Sequence, residues 1–339
     1  MSTYVLPQDS TVLVTGANGY IASHVVDQLL QAGFRVRGTV RSPKPWLNEY
    51  FDQKYGKGRF ETVLVSDFSH VPTLEAAVQG VSGIAHLASD LTFGSDPQAV
   101  IPWVVDAIRK ILLVASKQPS IKRVVLTSSS RAAYTPGKNE TKGLVVDENT
   151  WNDQAIRAAW DPNTPADIKP LEVYSASKAE AEKTAWEWVG ENKPSFVLNT
   201  VLPDFNTGRV LLPEIFGSTM GYTRALLKGD DIMLKIFPPQ QYVDVQDTAR
   251  LHLAALLSPD VKSERLFAFA GSRNWSELVH ILRNLRPNNK LIPDALGQGY
   301  DETKVIPASR AEALLKDLFG RPGWTSFEES IEAGIDGLE

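Results

Sequence analysis

Thr11-Val12-Leu13-Val14-Thr15-Gly16-Ala17-Asn18-Gly19-Tyr20-Ile21-Ala22 changes its period halfway along. The first half is a short apolar run rich in β-branched residues, and it predicts a strand buried on both faces. From Tyr20 onward, Ile21, Val25, Val26, Leu29 and Leu30 recur at helical spacing, and Ala32-Gly33 supplies the stop. Between strand and helix, Gly16 lets the chain turn tightly and Gly19 lets backbone approach a pyrophosphate, while Ala22 replaces a third glycine where helix meets strand. The backbone from Asn18 through Gly19, Tyr20 and Ile21 then presents N–H groups, at the positive end of the helix dipole, to phosphates.

The next segments repeat the alternation. Phe34 to Arg41 reads as a second strand that ends on a cation where an acidic residue would grip a ribose 2′-hydroxyl. Arg41, with Lys44 nearby, suits a 2′-phosphate, so NADPH is expected over NADH. Phe60 to Val65 is a third strand; beyond it Phe68 adjoins the cofactor, and Asp67 either accepts from the adenine amino group or serves as a turn or cap. Gly83 to Ser89 forms a fourth strand whose small exit residues, Ala88 among them, leave room for cofactor, whereas His86 inside the run reads as a core histidine. Arg123 to Thr127 is a fifth strand running into Ser128-Ser129-Ser130, and Phe196 to Val201 a sixth leading to Pro203. This pattern predicts an α/β chain: a Rossmann-type doubly wound parallel sheet over residues 1–203 with a smaller C-terminal lobe. Residues 132–170 lack periodicity and read as a cover loop over the site. Residues 204–339 read mainly as a substrate-binding lobe, with some segments returning to the nucleotide domain.

Composition narrows the chemistry. The chain has 339 residues, 43% of them hydrophobic, and a net charge of −5, which offers no general attraction for nucleic acid or an anionic membrane. Zero cysteines remove disulfides and thiolate chemistry, and five scattered histidines make no metal-binding pattern. No signal peptide or membrane-spanning run is evident, so a cytoplasmic protein, monomer or homodimer, acting on a small molecule is expected. Tyr174 and Lys178 stand one helical turn apart. A tyrosine hydroxyl has a reference pKa near ~10. A neighbouring ammonium and a nicotinamide cation are expected to draw it down, and Ser129 to hold the same substrate oxygen. The chemistry implied is carbonyl reduction with Tyr174 as proton donor and Lys178 also on the ribose. Phe93, Phe205, Tyr222, Phe237 and Gln240 are candidates for the substrate pocket, each with core packing as the alternative.

Thr15-Gly16-x-x-Gly19-x-x-Ala22, Thr127-Ser128-Ser129 and Tyr174-x-x-x-Lys178 together resemble the extended short-chain dehydrogenase/reductase family. Val36 to Ser42, Pro238 to Val243 and Gly320 to Trp324 carry a narrower likeness to its dihydroflavonol-reductase-like branch, and within it to fungal NADPH-dependent aldehyde and ketone reductases. The resemblance implies that Ser129, Tyr174 and Lys178 form a catalytic triad and that aldehydes and ketones, ketoesters included, are reduced with NADPH/NADP+ as the cofactor couple. Two departures stand out: Asp106-Ala107 where a Gly-Thr pair is usual, and Asp204 where an uncharged residue is usual. A nucleotide-sugar epimerase or dehydratase shares fold and triad, but it needs polar grips for a diphosphate, and Leu211 to Pro239 is mostly apolar. A dinucleotide-sensing regulator has no need of the intact triad.

Overall fold

The computed structural model describes residues 4–89, 92–137, 143–295 and 297–339. Along the chain, β1 (Thr11–Thr15) leads into α1 (Tyr20–Gln31), β2 (Arg35–Val40) into α2 (Pro45–Tyr55), and β3 (Phe60–Leu64) into α3 (Val71–Ala77). Then β4 (Val81–His86) leads into α4 (Pro97–Ser116), and β5 (Arg123–Thr127) into a 3₁₀ turn at Ser130–Ala132. Next come β6 (Val145–Val146), α5 (Asp153–Trp160), α6 (Lys169–Asn192), β7 (Val197–Pro203), β8 (Phe205–Thr207), α7 (Thr219–Ala225) and α8 (Ile232–Ile236). The rest comprises β9 (Gln240–Asp244), α9 (Val245–Leu257), β10 (Arg265–Ala268), β11 (Gly271–Arg273), α10 (Trp275–Leu285), β12 (Lys304–Val305), α11 (Ala308–Phe319) and α12 (Phe327–Gly334).

Seven parallel strands form one sheet in the order β10-β7-β5-β4-β1-β2-β3, so the chain winds outward to β3, then returns to the far side of β1. That reversal opens a crevice at the carboxyl ends of β1 and β4. Alternation along β1 feeds both faces: Val12 and Val14 pack with α1, α2, α9 and α11, while Leu13 packs with α3, α4 and α6. Each fully buried aliphatic side chain there contributes about 1.5–3 kcal/mol. The doubly wound sheet expected from the alternating segments is what forms.

A third apolar cluster, built on Phe205, Met220, Leu226, Trp275, Leu278 and Phe327, belongs to α7, α8, α10 and α12 and to a second sheet of order β11-β9-β8. The Tyr20 hydroxyl donates to Gly208 O at 2.8 Å, tying the start of α1 to this layer. From residue 204 onward, β10 joins the edge of the seven-stranded sheet beside β7, and α9 and α11 pack on that sheet. Residues 132–170 hold β6 and α5; β6 pairs with β12, α5 lies along α6, and positions 138–142 fall outside the described residues. Among the described residues no helix is long and apolar enough to cross a membrane.

Candidate active site

The crevice between β1 and β4 has a volume of ≈ 590 Å³. Its floor is the glycine turn, and its walls include Asn18, Gly19, Tyr20, Ile21, Phe68 and Ala88. Gly16 has φ +66, and a Cβ there would sit 3.3 Å from Ala88 Cα, so only glycine lets β1 end against β4. The two strand ends are latched by Thr15 Oγ1, which accepts from Leu87 N and Ala88 N, both at 2.9 Å. Its proton therefore goes to His86 Nδ1 at 3.0 Å, and burial, with the Lys178 charge adding to it, pulls the His86 pKa down to about 3. His86 is a neutral structural residue, as its place in the strand run implied.

Gly38, which the sequence reading passed over, is what allows this turn: a Cβ on it would come within 2.6 Å of Ala17 Cβ. The N-cap of α1 is Gly19, with no side chain to satisfy the first-turn amides, and these amides belong to crevice-lining residues. Arg41 and Lys44 also line the crevice, and neither makes an ion pair among the described residues. An uncapped helix start and two unpaired cations fit a dinucleotide carrying an extra phosphate. Asp67 stands apart: its carboxylate accepts from Ser69 N at 2.7 Å and from the Ser69 hydroxyl, an exposed local turn outside the crevice lining.

At the end of β5 three successive hydroxyls take three directions. Thr127 Oγ1 meets His252 Nε2 at 2.7 Å, Ser128 donates to Glu182 Oε2 at 2.7 Å, and Ser129 caps the 3₁₀ turn by accepting from Arg131 N at 3.2 Å. Pleating thus leaves Ser129 on the wall of a second cavity, ≈ 520 Å³, together with Tyr174 and Lys178 from α6. Asn18, Gly19, Tyr20, Ile21 and Thr127 line both spaces, so the cavity that holds the triad adjoins the crevice. Lys178 Nζ donates to Thr127 O at 3.3 Å, and burial lowers its pKa to about 8 despite the attraction of Glu182. Burial raises the Tyr174 pKa, opposed by the Ser129 hydrogen bond and the Arg131 charge. The expectation that Lys178 draws the tyrosine down does not describe this free site: the ammonium is turned to a carbonyl, and desolvation of a phenolate is the larger effect. Tyr174 holds its proton, the state an acid needs.

Phe93, Phe205, Tyr222, Phe237 and Gln240 all line the second cavity, as does Pro203. The Phe93 ring lies 5.2 Å from Tyr174, and Phe237 lies 5.9 Å from Phe205 and 5.8 Å from Tyr222. No described residue of 132–170 joins this wall; Leu171 and the Glu214–Thr219 turn do. Asp204 is on it, its carboxyl pushed up to about 8 by burial and by Asp301; Tyr134 donates to Asp301 Oδ2 at 2.8 Å and lies 3.5 Å from Asp204 Oδ2. Asp106, the other departure, forms an i,i+4 ion pair with Lys110 on the outside of α4 and leaves Ala107 buried.

Residues missed from sequence support the triad from behind. Glu182, one turn beyond Lys178, is fully buried and accepts from Arg265 Nε at 2.8 Å, Thr200 Oγ1 at 2.8 Å and Ser128. Arg265 is stacked 3.8 Å over Trp151.

Residues 12–268 match the NAD dependent epimerase/dehydratase family. The chain is 45% identical to ketoreductase nvfG of Aspergillus novofumigatus over 98% of this chain and 97% of that protein. It is 41% identical to aldehyde reductase 2 of Sporidiobolus salmonicolor, over 97% and 96%. The crystal structure of yeast methylglyoxal/isovaleraldehyde reductase Gre2 complexed with NADPH superimposes with a TM-score of 0.78 at 26% identity, covering 96% of each chain. With near-complete coverage of both sequence and fold, the chain belongs to the NAD dependent epimerase/dehydratase family, the extended short-chain dehydrogenase/reductases.

Proposed function

We propose that this protein is an NADPH-dependent reductase that converts aldehydes and ketones, ketoesters included, to alcohols. The observation that carries the reading is the meeting of Ser129, Tyr174 and Lys178 at the seam between a nucleotide crevice and an aromatic-walled cavity. When bound, NADPH supplies the hydride for the carbonyl carbon. Ser129 holds the carbonyl oxygen, Tyr174 delivers a proton to it as charge develops, and Lys178 binds ribose hydroxyls in this reading. Phe93, Phe205 and Phe237 keep water from the reacting centre. The named activities of the fungal relatives and the NADPH-bound yeast structure support this direction of reaction and this cofactor. Apart from Arg131, the wall facing a sugar-nucleotide diphosphate offers Glu214, Phe216 and Tyr222, a carboxylate and two rings, which disfavours an epimerase. A cytoplasmic location and a monomer or homodimer go with this reading, to be tested by fractionation and by light scattering. The direct test is consumption of NADPH across a panel of aldehydes and ketones with chiral analysis of the alcohols; no oxidation by any member sinks the proposal.

Arg41→Ala is expected to weaken NADPH by about tenfold to a hundredfold, the worth of one partly exposed charge-assisted contact, and to leave NADH nearly unchanged. Fluorescence titration with both nucleotides decides it, since equal losses would make Arg41 structural. A pH dependence follows from Lys178. Its ammonium is present below about pH 8 and lost above, while Tyr174, raised by burial, stays protonated through that range. Thus kcat/KM should fall as pH rises through about 8, and a flat profile there would deny the ammonium a part in turnover.

A further inference from the structure

We infer that Arg131 is a carboxylate-binding subsite inside the cavity, and that the substrates fitting it best are 2-oxo acids, whose carboxylate adjoins the reacting carbonyl. This rests on the reductase reading and names its substrate class.

Arg131 is only 7% exposed, yet it lines the cavity. Its guanidinium makes no ion pair and no side-chain hydrogen bond among the described residues. The other buried arginines are placed differently, since Arg265 is paired with Glu182 and Arg123 donates to Ser258 O. A guanidinium held out of water on the wall of a cavity that Phe93, Phe205 and Phe237 also line is costly unless an anion joins it. The nearest internal candidate does not serve. Asp204 shares the wall without forming an ion pair with Arg131, and burial and Asp301 push its carboxyl up to about 8 against the pull of the Arg131 charge. Glu214 is exposed at the rim, where water screens it.

The missing anion is therefore placed on the substrate. A carboxylate offers two oxygens that match the guanidinium fork. Position follows from the chain: Arg131 is two residues from Ser129, its own N–H donates to Ser129 Oγ at 3.2 Å, and its charge reaches Tyr174. The guanidinium, near enough for its charge to act on Tyr174 and on the same cavity wall, is the cation available to a carboxylate beside a carbonyl held by Ser129 and Tyr174. Reduction adds hydride from NADPH to C2 and a proton from Tyr174 to its oxygen, giving the 2-hydroxy acid and NADP+. The carboxylate is unchanged throughout, so Arg131 acts on binding more than on turnover.

The test compares 2-oxo-4-phenylbutanoate with its ethyl ester, which replaces the charge with a neutral ethoxy group and leaves the reacting ketone and the phenyl end in place. In the parent the acid should have the higher kcat/KM. Arg131→Gln should lower kcat/KM for the acid by about tenfold to a hundredfold, mainly through KM, while the ester stays within about threefold; Arg131→Lys should recover part of the loss. Calorimetric binding of 4-phenylbutanoate to the NADP+ complex should disappear in Arg131→Gln, with melting temperature and NADPH affinity kept. Equal losses for acid and ester, or unaltered binding of 4-phenylbutanoate, would overturn the subsite. If the parent reduces neither compound nor any member of the aldehyde and ketone panel, the reductase reading fails, and the 4-phenylbutanoate titration still decides for or against Arg131.

Discussion

Tyr174→Phe leaves a folded protein that binds NADPH with nearly parental affinity and reduces carbonyl substrates about 10²–10⁴-fold more slowly, or worse. The ring is retained, so its contact with Phe93 survives, and what is deleted is the one hydroxyl paired with Ser129 on the cavity wall. Two companion variants separate the roles. Ser129→Ala should slow turnover with little effect on cofactor affinity, because its partner is the substrate oxygen. Lys178→Met should slow turnover and also weaken NADPH, because it removes a ribose contact together with a buried charge. Should Tyr174→Phe keep near-parental reduction of a good aldehyde, the proton must come from elsewhere, and the protonated carboxyl of Asp204 on the same wall is the group to remove next.

What the sequence disclosed is what depends on neighbours along the chain. The turn at Gly16 to Ala22 and the Tyr174–Lys178 spacing are local patterns, and both lie where one-turn geometry puts them. β1, β4, β5 and β7 were legible because burial on both faces makes them nearly continuous apolar runs. β9 was less so: Tyr242 and Val243 stand directly before the helical run that begins at Val245, and pairing with β8 and β11 makes them a strand. α5 was hidden in an aperiodic stretch and is held by its Asn152 cap and by packing on α6. Charge partners were hidden by distance. Arg265 lies 83 positions from Glu182, and Asp301 lies 167 from Tyr134, separations that no periodicity encodes. The direction of the Tyr174 pKa in the free site was out of reach for a related reason, since desolvation depends on everything packed around the ring rather than on the lysine one turn away.

Glu182→Ala should cost more stability than any surface change in this protein, about 3–5 kcal/mol, because it strands a buried guanidinium. The side chains of Glu182 and Arg265 are 0% and 7% exposed, and both carboxylate oxygens are engaged: Oε1 by Arg265, Thr200 and Trp186, Oε2 by Ser128 and Arg265. Deleting the carboxylate leaves Arg265 only the carbonyls of Glu148 and Thr150 and the face of Trp151. The double variant Glu182→Leu with Arg265→Met removes both charges and fills the volume, so it should be less destabilised than Glu182→Ala even though it abolishes the pair. Urea midpoints of the single and double variants measure the difference. The network also has a catalytic reach, since Ser128 hangs on Glu182 and the carboxylate is the attraction that favours the Lys178 ammonium. In Glu182→Gln, which keeps the shape but not the charge, the limb of kcat/KM that falls near pH 8 should move to lower pH. A limb that stays in place, with stability reduced, would confine Glu182 to holding the fold.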